Sequence, residues 1–116
     1  MSVRTFLLCF AMAACATSAH AHAFLEHAAP GAGATIVSPP REVTLAFSEA
    51  LEAAFSGVTV TDAAGRDVEA GKPVVAGAAI TVALKPVGPG TYRVRWHAVS
   101  VDTHRTEGAY SFTVKP

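Results

Sequence analysis

The sequence predicts an all-β domain, an antiparallel sandwich or barrel, and three observations carry that prediction. Five stretches alternate apolar and polar residues with the period of two that a half-buried strand imposes. Clusters of Pro, Gly, Asp and Ser separate these stretches at short intervals. Only Glu49 to Phe55 is rich in helix formers, and Gly57 ends it, so a short helical turn is the most it can supply. Many short strands, frequent turns and no long helix are the pattern of a sandwich or barrel.

A short opening strand is expected around Ala23 to Ala28. Val43, Leu45 and Phe47 then alternate with Glu42, Thr44, Ala46 and Ser48, and Val58 and Val60 alternate with Thr59 and Thr61. Ile80, Val82 and Leu84 form the next apolar face. Tyr92, Val94, Trp96 and Ala98 oppose Arg93, Arg95 and His97, and Tyr110, Phe112 and Val114 close the series. The separating turns are Pro30-Gly31-Ala32-Gly33, Ser38-Pro39-Pro40, Asp62-Ala63-Ala64-Gly65, Lys72-Pro73 and Gly88-Pro89-Gly90. No internal repeat or linker interrupts them, so one domain is expected.

The first residues have the layout of a secretory signal. Arg4 gives the positive start, Phe6 to Ala14 an apolar run too short to span a bilayer, and Ala19-His20-Ala21 an A-x-A cleavage pattern. Cleavage after Ala21 makes residues 1–21 a leader and residues 22–116 the working domain, with His22 first. Ala21-His22-Ala23 and a cut after Ala19 are alternatives, and Cys15 would matter only in a lipoprotein. The 116-residue chain has 9 basic and 9 acidic side chains, so no charge excess supports nucleic-acid binding. Cys9, Cys15, Met1 and Met12 all lie in the leader, leaving no disulfide framework, so the exported domain must be held by packing.

Without thiols or thioethers, imidazole, carboxylate and the terminal amine are the metal-binding options. A terminal His22 offers amine and imidazole to one ion in a six-membered chelate, and nitrogen-rich tetragonal sets favour Cu(II). Equally, a His can simply follow a cleavage site. Asp102-Thr103-His104 lies between two strands; in an extended segment its carboxylate and imidazole would share a side. The plainer reading is a turn Asp beside a solvated His. Taken together, the opening strand and the run into the last strand would assemble amine, two imidazoles and one carboxylate.

Several motifs resemble the CopC family of periplasmic copper-binding proteins, which includes YobA-like members. They are His22-Ala23-Phe24-Leu25 with Ala29-Pro30, Phe47-Ser48-Glu49, Phe55-Ser56-Gly57, Gly90-Thr91-Tyr92-Arg93-Val94-Arg95-Trp96, and Val99-Ser100-Val101-Asp102-Thr103-His104 with Gly108. The resemblance implies a seven-stranded Greek-key β-barrel or sandwich, cupredoxin-like or immunoglobulin-like. It implies one Cu(II) per chain, bound by the amine and imidazole of His22 with Asp102 and His104. Glu49 would lie beside the metal as an outer-shell group or weak ligand, or else be a solvated residue opening the short turn. It further implies a monomeric, non-enzymatic copper carrier or buffer of the periplasm, serving resistance or homeostasis with a CopD-like membrane transporter as partner, and no small-molecule substrate. Some members carry a methionine Cu(I) site; the absence of Met after residue 12 removes that option.

Two other functions fit parts of the pattern. A lytic polysaccharide monooxygenase also chelates copper with an N-terminal His, although a carboxylate ligand would oppose the Cu(I) state it needs. A metal-free immunoglobulin-like interaction module is the other. Of the remaining residues, His27 shares parity with Leu25 and is expected partly buried. His97 shares parity with Arg93 and Arg95 on a solvated face, and Trp96, Tyr92 and Phe112 are expected in the core.

Overall fold

A computed structural model describes residues 23–116; residues 1–22, which hold the expected leader and His22, lie outside the described residues. Eight strands follow in order: β1 (Leu25–Ala29), β2 (Thr35–Ile36), β3 (Glu42–Phe47), β4 (Gly57–Thr61), β5 (Val74–Ala76), β6 (Ala79–Ala83), β7 (Gly90–Val99) and β8 (Arg105–Val114). They form two four-stranded sheets, β1-β3-β6-β5 and β2-β8-β7-β4. All pairings are antiparallel except β2 with β8, which is parallel. The structure has eight strands where the family resemblance implies seven; the two shortest, β2 and β5, of two and three residues, pair along sheet edges.

The predicted alternation sets the core. Val43, Leu45 and Phe47 from β3 and Ile80 and Val82 from β6 face Val58 and Val60 of β4, Tyr92, Val94 and Ala98 of β7, and Phe112 and Val114 of β8. Tyr92 and Phe112, cross-strand partners, stack at 5.4 Å, and the Tyr92 hydroxyl donates to the Gly88 carbonyl at 2.7 Å. Trp96, partly buried, meets Phe47 edge-on at 5.1 Å across the two sheets. The Asp62 turn forms as its composition requires, its Oδ1 accepting the Ala64 and Arg66 N–H groups at 2.9 Å.

Two local expectations change. His27 is exposed, not partly buried: the β1–β3 register slips between Leu25 and His27, and this bulge spends one residue and turns His27 to the outer face. The Glu49–Phe55 stretch forms only a 3-10 turn at Ala53–Phe55. Before that turn the backbone is extended enough for Leu51 to bridge Ser100, and this places the stretch beside the β7–β8 connection.

Candidate metal centre

Asp102 and His104 sit on the hairpin that joins β7 to β8. The long pairing of these strands runs from Gly90↔Val114 to Val99↔Arg105, leaving Ser100 to His104 to turn the chain. The Thr103 N–H donates to the Ser100 carbonyl at 2.8 Å, and the Ser100 N–H to the His104 carbonyl at 2.9 Å. Thr103 has φ 74°, the left-handed conformation that the final residue of a three-residue hairpin loop requires. The pair is therefore gathered by a tight turn, not by the extended i, i+2 geometry expected from the sequence.

Ser100 organises this turn, and the sequence reading assigned it no role. It is fully buried, and its hydroxyl donates to Asp102 Oδ1 while accepting the His104 N–H at 3.2 Å. His104 Nδ1 lies 3.4 Å from Asp102 Oδ1. In the tautomer that makes this contact a hydrogen bond, the lone pair resides on Nε2, a usual metal-binding atom. The Ser100 hydroxyl holds the Asp102 carboxyl below its ordinary range, with the His104 hydrogen bond and charge acting in the same direction. The signal available in sequence was the regular spacing Ser100, Asp102, His104: a small hydroxyl residue two positions before the acid.

Two further segments converge on this end of the sandwich. Thr106, two residues beyond His104, donates its hydroxyl to the carbonyl of buried Ala23 at 3.0 Å. The Phe24 N–H donates to Ser48 Oγ at 2.8 Å, and the Ser48 N–H returns a bond to the Phe24 carbonyl at 2.9 Å. The chain immediately after His22 is thus tied both to the strand that follows His104 and to the residue preceding Glu49. Beyond Glu49, the Val101 N–H donates to the Ala50 carbonyl at 3.1 Å and the Glu52 N–H to the Val99 carbonyl at 2.8 Å.

Among the described residues, no three His, Cys, Asp or Glu side chains come together as a metal-binding group. Asp102 and His104 are paired; half-buried Glu49 lies on the neighbouring segment without joining them as a third donor. The other donors expected for the site belong to His22, outside the described residues. His97 is exposed on the outer face of β7, its ring against Gly57, away from this pair. Among the described residues no helix is long and apolar enough to cross a membrane.

The family model for the CopC domain matches residues 25–115. The chain is 40% identical over 107 residues to Protein YobA of Escherichia coli strain K12, covering 84% of this chain and 82% of that protein. It is 39% identical over 110 residues to Copper resistance protein C of Escherichia coli, covering 86% of each. Among solved structures, CopC from Methylosinus trichosporium OB3b superposes with a TM-score of 0.75 at 31% identity, over 82% of this chain and 95% of that one.

Proposed function

The chain belongs to the CopC family, and on that premise we propose that it is a periplasmic Cu(II)-binding protein that carries or buffers copper. In this reading residues 1–21 are a cleaved leader, residues 22–116 are the copper-binding domain, and each chain takes one Cu(II). His22 contributes its freed amine and its imidazole, Asp102 a carboxylate and His104 an imidazole. Glu49 acts from the outer shell, holding the amine by hydrogen bonding. The domain works as a monomer, catalyses no reaction, and exchanges copper with a membrane transporter of the CopD kind.

The observation that carries the reading is the Ser100-held Asp102–His104 pair, with Ala23 tied to Thr106 beside it. A carboxylate and an imidazole at 3.4 Å form half of a four-donor set, and the segment that continues into His22 is anchored two residues past His104. Nitrogen and oxygen donors without sulfur suit Cu(II), which heads the affinity order of the divalent first-row ions. A terminal amine has an ordinary pKa of about 7.7–8.0, so a metal displaces its proton at little cost near neutral pH.

The test is a Cu(II) titration of the chain beginning at His22 against a version carrying one extra N-terminal residue. The extension turns the amine into an amide and should weaken binding by orders of magnitude, as should His104→Ala. His97→Ala should leave it unchanged. Mass measurement of the exported chain fixes its first residue independently. Equal affinity with and without the extension would remove the amine from the site and the reading with it.

A further inference from the structure

The outer face of the β4-β7-β8 sheet carries a feature that copper binding does not use. Arg93 and Arg95 project from it two residues apart on β7, about 6.6 Å by the rise of a strand. Both are exposed, and among the described residues neither makes an ion pair or a side-chain hydrogen bond. Their cross-strand neighbours are short: Thr61 and Ser111 flank Arg93, and Thr59 and Ala109 flank Arg95. Two like charges on one strand face repel, and no neighbour here relieves them.

The surface around them is concave. The Asp62–Gly65 turn stands beside β7, and with Arg93, Arg95 and Ser111 it bounds a hollow of about 500 Å³. The acid in that wall is already committed. Asp62 Oδ1 accepts two N–H groups of its own turn at 2.9 Å, and Oδ2 lies 3.5 Å from Arg66 Nε. Two other carboxylates share the face: Glu107 stands opposite His97, two register positions beyond Arg95, and Asp67 bridges Thr61 on its far side from Arg93; neither is within ion-pair distance of either arginine. The hollow therefore offers two guanidinium forks and the hydroxyls of Thr61 and Ser111, with no carboxylate among the described residues in ion-pair contact with either fork.

We infer that this hollow binds an extended acidic segment of a protein partner, its carboxylates at alternate positions engaging Arg93 and Arg95. A guanidinium presents a planar fork that matches a carboxylate with two parallel hydrogen bonds. Side chains at i and i+2 of an extended chain repeat at the same spacing as the two arginines, so each fork meets one acid. A single phosphate engages both forks only by drawing the two like charges together, whereas carboxylates at alternate positions meet them where they stand apart. Docking on an anionic bilayer draws on clusters of about 4–8 cations, and the hollow itself is lined by two, Arg93 and Arg95.

The test is an NMR titration of the isotope-labelled, copper-free protein with a capped hexapeptide of alternating Glu and Thr. Saturable shifts at Arg93 and Arg95, weakened by raising salt from about 20 to 150 mM, are expected. The double variant Arg93→Gln/Arg95→Gln should lose at least about tenfold in affinity. Arg41→Gln, which removes a cation beside Leu84 and Pro86, outside the hollow, should bind the peptide as the parent does. Unfolding temperature and Cu(II) affinity of the double variant should match the parent, showing an intact fold. The inference is overturned by an absence of saturable shifts, by an equal response to a Gln–Thr peptide, or by a double variant that binds as tightly as the parent. Inorganic phosphate giving the same shifts at the same concentration would reduce the hollow to a simple anion site, and binding to phosphatidylglycerol vesicles in place of the peptide would make it a lipid surface; either overturns the acidic-segment assignment.

Discussion

At the scale of single residues, the decisive group is the one hydroxyl that reaches both halves of the Asp102–His104 pair. Ser100 is fully buried, so its donor to Asp102 and its acceptor for the His104 N–H act without competition from bulk water. Asp102 itself is exposed, and its carboxyl is nevertheless held below its ordinary 3.8, first by Ser100 and then by His104. A carboxyl whose folded pKa is lowered adds stability that is complete above 3.8 and drains as pH falls through the folded value. Ser100→Ala should therefore cost about 1–3 kcal/mol at neutral pH, since it leaves the His104 N–H without this acceptor. The titration midpoint of Asp102, followed by carboxyl NMR, should rise toward 3.8 in the variant. The stability gap between parent and variant should narrow as pH falls below 3.8 and through the parent's folded midpoint, beneath which the Asp102 contribution is gone from both. An unmoved midpoint would show that Ser100 does not set the carboxylate.

At the scale of elements, the β7–β8 hairpin is both the longest pairing and the support of the site, and a contact in its middle tests how tightly it is built. Trp96 and Gly108 are directly opposed, and a Cβ on Gly108 would lie 2.6 Å from Trp96 Cζ2 and 2.9 Å from Cε2. The indole cannot yield inward, because its ring meets Phe47 of the facing sheet edge-on at 5.1 Å. Gly108→Ala should push the ring toward solvent and cost about 1–3 kcal/mol, with Trp emission moving to the red and unfolding temperature falling. Unchanged emission and stability would mean the glycine is not there for the indole. This hairpin was largely legible in the sequence: seven residues of strict alternation from Tyr92 to Ala98 and a second run ending at Val114 leave little choice of register or face. The geometry of its loop was not legible, because a β-branched Thr103 gives no warning of a left-handed conformation usually taken by Gly or Asn. His27 was misread for a related reason: period-two reasoning fails at a bulge, and no residue between Leu25 and His27 announces one. The convergence of Ala23, Ser48 and Ser100 rests on long-range backbone bonds, to which local patterns are blind.

At the scale of the whole molecule, the end proposed to take copper is where Ala23 and Phe24, the β3–β4 connection and the β7–β8 hairpin are held together, so occupancy should be felt as global stability. Past residue 15 the sequence has no cysteine, and the domain relies on a core of aliphatic and aromatic residues shared between two sheets. A ligand that binds only the folded chain would add about 2.7 kcal/mol at 100 times its Kd. In the proposed site the His22 amine and imidazole would remain adjacent in the unfolded chain and keep part of their copper there, so the gain should fall below that figure. On the proposal, the part that depends on folding would come from bringing Asp102 and His104 to the same ion. One equivalent of Cu(II) should then raise the unfolding temperature of the chain beginning at His22 by about 4 °C or more, since 1 kcal/mol moves a domain of this size by about 4–8 °C. The rise should be lost in His104→Ala and in the chain with an extra N-terminal residue, while His97→Ala should keep it. It should also shrink as pH falls from about 7.5 to 5, because protons compete for the imidazoles and the amine. An undiminished rise in the extended chain would show that copper stabilises the sandwich through some other set of donors, and the link between the opening segment and the hairpin would no longer explain how this fold holds its metal.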